Sequence, residues 1–528
     1  MTNPPFRSVR APNHLVAAAD HLATSAGVET FGRGGNAVDA AIATNAAIAV
    51  SGPHLCGMGG DLFALVHVDG ETHSLNASGR AGSGADAEAL RADGHSEMPF
   101  RLDISSVTVP GCGDGWIALH ERFGSLPLRT ILEPAIRLAN DGFPASPLLV
   151  GAMRQVSEIG RTNLHELAAQ AVKRGSRVRR PGVAAALAAI AAGGRSTFYQ
   201  GAFGEGLMQL GDGLFSDADF ATPQADWETP LSTDAFGLTL HTAQPNSQGY
   251  LALGSARLVD RLDLPDDPAD ERWAHLLIEA SIAAGRDRPR QLHEGADGDE
   301  LLDIIDGRLD EIDPEAASRR WAPTSDGDTT YLCTAGRGAD GREMGVSLIQ
   351  SNASGLGSHL VEPNTGINLH NRGMGFSLTA GHPAELAPGR RPPHTLLPMA
   401  ATRSDGSLVS VLGTMGGDAQ PQIMLQLATR LFHHRQSPAR ALSAGRWALR
   451  GPETGFDTWT SPAGSGVNIE GHAPSDWADQ LAIRGHRTAV TPPWDSGFGH
   501  ACAIVTGRDG TFVGSGDPRT VVGSCAGG

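Results

Sequence analysis

The chain has 528 residues, of which 40% are hydrophobic and 19% are charged, proportions that are ordinary for a globular protein. Its formal net charge of −17 argues against nucleic acid or an anionic membrane surface as the main partner. The five cysteines are odd in number and lack CxxC spacing, so they indicate neither a disulfide framework nor a zinc site. Without a signal-peptide pattern or a stretch long enough to cross a membrane, a cytoplasmic protein is expected.

Helical patterns dominate the first three-fifths of the chain. The Ala-rich segment 37–50 is long and apolar enough for a buried helix. Residues 62–68 are strand-like, and the Asp69-Gly70 pair that follows predicts a hairpin turn. The stretches from about 129 to 213 and from about 255 to 322 are predicted to be mostly helical, and the second is strongly charged.

The character of the sequence changes after Thr329, where short β-forming runs alternate with glycine-containing turns. Asp-Gly pairs at 340–341, 405–406 and 509–510 mark hairpins. A helix is expected at 422–434. The predicted strands are 331–333, 345–350, 407–412, 501–505 and 511–513. Strands in both halves with helices between them predict sheets covered by helices, and we expect the two halves to share one core.

Several common chemistries are not indicated by any motif. The sequence has no G-x-x-x-x-G-K-[ST] phosphate loop, no H-E-x-x-H metal helix and no G-x-S-x-G nucleophile elbow. His433 and His434 are adjacent on a predicted helix, so they face different directions and make a poor metal pair. The glycine clusters lack the strand–GxGxxG–helix context of a dinucleotide site. Neither a cofactor nor a metal is therefore expected.

The tripeptide Asp328-Thr329-Thr330 is the most informative feature of the sequence. A Thr hydroxyl is ordinarily a poor nucleophile, but it becomes a good one at a chain N-terminus. There the free α-amine, with a pKa of roughly 8, can serve as its base. That role requires cleavage between Asp328 and Thr329. On the dipeptide alone the simpler alternative is favoured, namely that Thr-Thr begins a β-strand.

Short motifs recur in a fixed order along nearly the whole chain. They lie at 34–41, 57–61, 78–80, 109–111, 133–136, 141–143, 328–330, 356–358, 371–373, 391–392, 415–417 and 517–519. Any one of them is weak, but together, in this order and spacing, they are highly specific. By these motifs the chain resembles the γ-glutamyltransferase family, including its amidase and acylase-like branch.

The resemblance implies an α+β fold, the four-layer αββα sandwich of N-terminal-nucleophile hydrolases, made as a precursor that cleaves itself. It implies that Thr329 Oγ1 attacks the carbonyl of Asp328 and that hydrolysis of the resulting ester frees Thr329. The expected products are a large subunit, 1–328, and a small subunit, 329–528, which form one folded unit as a heterodimer. Pairing of two heterodimers is left open. The same hydroxyl would then attack a small-molecule amide and form an acyl-enzyme, resolved by water or an acceptor amine.

Catalytic roles carry over to matching positions. Besides Thr329, the second Thr of the motif is Thr330, and Ser351 resembles the hydroxyl residue that positions the nucleophile. Gly416 and Gly417 match the pair whose backbone N–H groups form the oxyanion hole. Two adjacent glycines suit this role because no side chain blocks the approach. The alternative for this pair is an ordinary tight turn.

The substrate-binding positions depart from the family pattern. In glutathione-cleaving relatives an Asn, a Gln and an Asp gather around the α-ammonium of the γ-glutamyl group. The matching residues here are Ala353, Arg372 and Gly375, so a cation replaces the polar set. The Ser-Ser pair that assists carboxylate binding is represented by His394 and Thr395. An ammonium beside Arg372 would meet like-charge repulsion.

These departures suggest the substrate class. Arg80 matches the arginine that grips the substrate carboxylate, a role suited to a fork of N–H donors, although a surface salt bridge is the alternative. The segment 377–391 is shorter than in lid-bearing relatives, which favours hydrolysis over transpeptidation. We expect a small anionic amide of the glutaryl or oxamate type as substrate. The other readings are a true γ-glutamyltransferase, or glutathione hydrolase, and an uncleaved pseudoenzyme.

Overall fold

The computed structural model describes residues 7–318, 329–450 and 466–528, together with Phe456 and Trp459. The strands are β1 (Val9–Ala11), β2 (His14–Ala18), β3 (Asp61–Val68), β4 (Glu71–Ala77), β5 (Phe143–Pro144), β6 (Arg177–Val178), β7 (Asp226–Glu228), β8 (Leu231–Ala235), β9 (Leu238–Thr242), β10 (Thr330–Arg337), β11 (Glu343–Ser351), β12 (Met399–Thr402), β13 (Leu408–Thr414), β14 (Trp447–Arg450), β15 (Gly466–Glu470), β16 (Thr488–Thr491), β17 (Ala501–Thr506), β18 (Phe512–Gly516) and β19 (Ser524–Gly527).

The helices cover the sheets and form the connections between strands. They are α1 (His21–Gly32), α2 (Ala37–Ser51), α3 (Ala87–Ala92), α4 (Cys112–Phe123), α5 (Leu128–Asp141), α6 (Pro147–Gln155), α7 (Glu158–Asn163), α8 (His165–Gln170), α9 (Pro181–Gly193), α10 (Arg195–Tyr199), α11 (Ala202–Gly211), α12 (Asp217–Ala221), α13 (Gly249–Asp260), α14 (Glu271–Gly285), α15 (Arg288–Gln291), α16 (Gly298–Asp306), α17 (Gln420–Ala428), α18 (Pro438–Ser443) and α19 (Trp477–Ile483).

Two large antiparallel sheets form the centre of the described structure. Sheet A has the strand order β1-β18-β17-β13-β12-β9-β8, and sheet B has the order β19-β2-β10-β11-β3-β4-β7. An apolar layer that includes the buried side chains of Phe63, Tyr331 and Ile504 fills the space between them. Helices α1, α2 and α4 pack on the outer face of sheet B, and α13 and α17 pack on sheet A. The predicted αββα sandwich is confirmed.

Helix α2 shows why this sequence builds a buried layer. Asn36 caps its first turn by accepting the N–H groups of Val38 and Asp39, while Asp39 accepts the N–H of Asn36, which is a capping box. All fifteen residues of the helix are buried. A helix that is apolar on every side belongs inside the protein, as the Ala-rich pattern predicts.

Sheet B combines strands from both sides of residue 329. Strand β10 pairs with β2 on one side and with β11 on the other, and β11 pairs with β3. Every residue of β10 except Arg337 is buried. The strand predicted from the Thr-Thr dipeptide is therefore present, since Thr330 is its first residue.

Most predicted elements agree with the structure. The hairpin after residue 68 joins β3 to β4, and the Asp-Gly turns at 340–341, 405–406 and 509–510 join successive antiparallel strands. The helix expected at 422–434 is α17, continued by a π-helical turn at Thr429–His433. All five cysteines lie within the described residues and are free. None of the described helices combines the length and hydropathy needed to cross a membrane.

The helical prediction for 255–322 is partly wrong. Helix α13 starts earlier, at Gly249, and the last turn of helical backbone is the 3₁₀ segment Leu309–Glu311. Residues 312–318 are irregular, and 319–322 lie outside the described residues. The physical reason is Pro314, because a proline disfavours helical backbone at the residue before it.

Candidate active site

Thr329 and Ser351 are in direct contact at one end of sheet B. Thr329 immediately precedes β10, is 1% exposed, and places its Oγ1 3.0 Å from the Oγ of Ser351. Ser351 is the last residue of β11, and its Oγ also accepts the backbone N–H of Ala353 at 2.7 Å. This second contact fixes the Ser351 hydroxyl, which in turn orients the Thr329 hydroxyl. The pairing predicted for these two residues is present in the geometry.

Strand register brings a third residue, Asp61, to the same edge. Thr330 of β10 lies opposite Gln350 of β11, so the next position outward places Thr329 beside Ser351. Ser351 lies opposite Asp61, the first residue of β3. Three adjacent strand ends therefore carry two hydroxyls and one carboxylate.

Asp61 is the centre of a buried polar network. Its Oδ2 accepts the Nε–H of Arg372 at 2.7 Å and the Nε2–H of His394 at 2.8 Å, and His370 Nδ1 lies 3.5 Å away. His394 Nδ1 accepts the N–H of Leu396, which identifies Nε2 as the protonated nitrogen. Burial and Arg372 lower the pKa of His394 to about 4, so it is neutral at pH 7. Burial opposes ionisation of Asp61, but Arg372, His394 and His370 together outweigh it and hold the pKa of Asp61 well below its usual value.

One nitrogen of the Arg372 guanidinium lacks a hydrogen-bond partner among the described residues. Arg372 Nη1 donates to Thr395 Oγ1 at 3.2 Å, whereas Nη2 is buried and is the nitrogen without a partner in this part of the chain. The ring of Phe456 lies 5.9 Å from the guanidinium carbon. A buried guanidinium nitrogen without an acceptor is costly, and a bound carboxylate would satisfy it.

The cavity beside Arg372 has a volume of about 640 Å³. Its wall contains Gly375, Thr395 and Asp418, together with Ser377, Leu378 and Thr379 from the segment 377–391. A second arginine, Arg288, also lines the cavity, with its Nη2 3.4 Å from Asp418 Oδ1. Asp61 does not line the cavity, so a bound molecule would face the cation of the Asp61–Arg372 pair.

Gly416 and Gly417 follow β13 of the opposite sheet. Their φ angles are +142° and +54°, so both have backbone conformations that favour glycine. Neither N–H group donates a hydrogen bond within the described part of the chain. A Cβ at Gly413 would lie 2.2 Å from the ring of Tyr331, which shows that the two sheets meet closely two residues after Thr329. The glycine pair and Thr329 therefore lie at the same end of the sandwich.

The other predicted site residues differ in their burial, backbone conformation and space for a side chain. Thr330 is buried, and its Oγ1 has no hydrogen-bond partner among the described residues. Ala353 is buried and has a φ of +73°. A Cβ at Gly375 would lie 2.6 Å from the carbonyl oxygen of Pro393, so this position is closed to larger residues. Asp328 lies outside the described residues.

Arg80 is not brought to this cavity. Its guanidinium pairs with Asp226 at 2.8 Å and with Glu294 at 2.7 Å, and it also donates to the carbonyl of Gly389. Asp226 is shared with the buried Arg391. This environment matches the salt-bridge alternative that the sequence left open for Arg80.

Sequence reasoning missed Asp61, Arg288 and Asp418 as parts of the site. Asp61 belongs to one of the recurring motifs but had no role assigned to it. A signal was present, because Asp61 is the one charged residue between a glycine cluster and the apolar run of β3. Arg288 and Asp418 belong to separate segments of the chain, and only the folded structure shows that they are neighbours.

Comparisons with known proteins agree with this geometry. Residues 23–526 match the family described as Gamma-glutamyltranspeptidase. The chain is 32% identical to the glutathione hydrolase-like YwrD proenzyme of Bacillus subtilis, over 97% of this chain and 98% of that protein. It is 33% identical to the oxamate amidohydrolase proenzyme of Klebsiella pneumoniae, over 96% of this chain and 97% of that protein. The cephalosporin acylase of Bacillus halodurans has a similar structure, with a TM-score of 0.88 and 32% identity over 100% of this chain and 99% of that one.

Proposed function

Because the chain belongs to the gamma-glutamyltranspeptidase family, we propose that it is a self-processing amidohydrolase with Thr329 as its nucleophile. The observation that carries the proposal is the 3.0 Å contact between the hydroxyls of Thr329 and Ser351 beside the Asp61–Arg372 pair. The pseudoenzyme reading explains this arrangement less well, since an inactive chain has no need to keep both hydroxyls in contact.

Processing would occur between Asp328 and Thr329. In the continuous chain Thr329 is 1% exposed, so a substrate has little access to its hydroxyl. Attack of Oγ1 on the Asp328 carbonyl carbon forms an ester and breaks the C–N bond, which frees the α-amine of Thr329 as it takes up the hydroxyl proton. Water then cleaves the ester and releases the Asp328 carboxylate and the Thr329 hydroxyl. The products, 1–328 and 329–528, would remain together because β10 and β11 of the small subunit lie between β2 and β3 of the large one.

The mature site would form an acyl-enzyme. The α-amine of Thr329 accepts the proton of its own hydroxyl as Oγ1 attacks the substrate carbonyl carbon. The N–H groups of Gly416 and Gly417, which donate to no described residue, are the proposed donors to the developing oxyanion. Collapse of the tetrahedral intermediate expels the amine, which takes up the proton from the α-amine. Water then attacks the ester by the same route and releases the acid.

We infer that the acyl group is anionic and small, of the glutaryl or oxamate type. Arg372 lines the cavity and its Nη2 has no hydrogen-bond partner among the described residues, a combination that suits a carboxylate. Two of the positions that would have to bind an ammonium group are Ala353 and Gly375. Neither residue has a side-chain atom that can accept a hydrogen bond from the ammonium. The name of the Klebsiella relative, an oxamate amidohydrolase, agrees with this class. Glutathione hydrolase activity is the second candidate, favoured by the name of the Bacillus relative.

A comparison of two chromogenic amides tests this assignment. The p-nitroanilides of glutaric acid and of γ-linked glutamate differ by the α-ammonium, and release of p-nitroaniline gives kcat/KM for each. We expect the glutaryl compound to be preferred by at least about tenfold, a difference of about 1.4 kcal/mol in transition-state binding. In Arg372→Gln the preference should shrink or reverse. A clear preference of the unaltered protein for the γ-glutamyl compound would contradict the assignment.

A further inference from the structure

Two histidines and a glutamate form a buried cluster away from the candidate active site. His275 and Glu279 are one turn apart on α14, and His486 follows α19. His275 Nδ1 lies 2.8 Å from His486 Nε2, and His486 Nε2 lies 3.9 Å from Glu279 Oε1. The three atoms all lie within 4.8 Å of one another, and all three residues are buried.

Two of the outer atoms of the cluster are already occupied by backbone groups. His275 Nε2 donates to the carbonyl of Asp313 at 2.8 Å, which leaves Nδ1 as the nitrogen with the lone pair. Glu279 Oε2 accepts the N–H of Ser318 at 3.1 Å. Glu279 Oε1 has no hydrogen-bond partner among the described residues, although Glu279 is only 3% exposed. An unsatisfied carboxylate oxygen at this depth is expensive to maintain.

We propose that His275, Glu279 and His486 bind a zinc ion. Zinc takes imidazole nitrogen at 2.0–2.1 Å and carboxylate oxygen at 2.0–2.2 Å, which separates tetrahedral ligand atoms by about 3.4 Å. Two of the observed separations, 2.8 and 3.9 Å, lie on either side of that value, and the third is no more than 4.8 Å. The ion replaces the proton shared by the two imidazoles, and a water molecule fills the fourth position. Magnesium and calcium prefer oxygen ligands and suit this set poorly.

The surrounding charges permit a cation at this position. Among the described residues, Arg484 is the arginine whose charge acts on both His275 and His486, and it is paired with Glu271 at 3.1 Å and with Glu315 at 2.9 Å. Burial raises the pKa of Glu279 to about 7, the direction expected for a carboxyl group without a cation beside it. A divalent ion would hold this group in its ionised form.

The proposed ion would tie together segments that are distant in the chain. It joins α14 to His486, and through the carbonyl of Asp313 and the N–H of Ser318 it fixes the end of the segment that precedes residue 319. His275 and Glu279 precede Thr329 in the sequence, whereas His486 follows it. The ion would thus stabilise the association of the two parts of the chain whether or not the chain is cleaved.

Zinc titration of the untagged, chelator-treated full chain tests the proposal. Competition with a chromophoric chelator should show one zinc ion per chain with a Kd below about 1 µM, together with a higher Tm. Glu279→Gln and His486→Gln should each weaken zinc binding at least tenfold. The control His165→Gln removes an exposed histidine of α8 and should bind zinc as the unaltered protein does.

A second measurement avoids dependence on how well the variants fold. Cobalt added to the unaltered chain should give the visible absorption of a tetrahedral Co²⁺ site, and zinc should abolish it. Failure of the unaltered chain to bind stoichiometric zinc, or to give this spectrum, would overturn the proposal. Equal zinc affinity in folded Glu279→Gln, His486→Gln and unaltered protein would overturn it as well.

Discussion

The Asp61–Arg372 pair makes a quantitative prediction about stability. The Nε to Oδ2 distance is 2.7 Å, and the two side chains are 2% and 0% exposed. Two unit charges about 4 Å apart attract by about 4 kcal/mol at an effective dielectric constant of 20, and removal of one partner of a buried pair costs about 3–5 kcal/mol. We expect Arg372→Gln and Asp61→Asn each to lower the free energy of unfolding by about 3–5 kcal/mol. The double variant should regain much of this lost stability, because neither of its two substituted residues leaves an unpaired buried charge.

Thermal unfolding in a Thr329→Ala background is a suitable assay, because every variant is then expected to be the same uncleaved chain. An unfolding entropy of about 2.1 cal/mol/K per residue gives about 1.1 kcal/mol/K for a chain of this length. A loss of 3–5 kcal/mol therefore lowers Tm by about 3–5 °C, compared at one scan rate. The control Arg137→Gln breaks a pair whose arginine is 45% exposed and should change stability by less than about 1 kcal/mol.

The change in stability of these variants with pH has a direction that follows from the pKa of Asp61. In the unaltered chain, folding lowers the pKa of Asp61. Ionised Asp61 therefore adds to the free energy of unfolding at any pH above its pKa in the unfolded chain. This contribution is lost as the pH falls through the pKa of Asp61 in the folded chain. Without Arg372, burial dominates and raises that pKa. The loss of stability in Arg372→Gln, relative to the chain that keeps Arg372, should then be largest near pH 7 and become smaller towards pH 4. Two results would show that the Asp61–Arg372 pair does not act in this way: an unchanged Tm in both single variants, or a double variant whose Tm is no higher than that of either single variant.

Three further predictions concern catalysis. Ser351→Ala removes the 3.0 Å contact that orients the Thr329 hydroxyl and should lower kcat about 10- to 100-fold with little change in KM, measured on processed protein. Gly417→Ala places a side chain at a φ of +54° beside the proposed oxyanion site and should lower kcat by about 10² or more, whereas an unaltered kcat would exclude that site. If the α-amine of Thr329 is the base, kcat should fall as pH decreases through roughly 8, and a flat profile between pH 6 and 9 would contradict that role.

Local patterns in the sequence predicted much of the fold because the deciding interactions are local. The apolar run of α2 and its Asn36 cap specify a buried helix, and the Asp-Gly turns specify hairpins. The irregular end of the large helical region was missed because Pro314 acts within a charged stretch that otherwise favours helix. The recurring family motifs predicted the αββα sandwich, but not the order of strands in the two sheets, because that order depends on contacts between distant segments.

The candidate site was predictable to the same limited extent. The contact between Thr329 and Ser351 and the grouping of Arg372, His394 and Thr395 agree with the positions expected from the resemblance. The partner of Arg372 was not predictable, since Arg372 lies in the turn Arg372–Gly375, outside the sheets, and meets Asp61 of β3 only in the folded chain. The salt bridges of Arg80 likewise depend on residues from distant parts of the chain.

The central claim is that Thr329 becomes a chain N-terminus and acts as the nucleophile. Intact-mass analysis of the purified protein, with N-terminal sequencing of the smaller product, tests it most directly. We expect two chains, with the smaller one beginning at Thr329, and one uncleaved inactive chain for Thr329→Ala. A single chain that persists in active unaltered protein, or a smaller product that begins elsewhere, would contradict it.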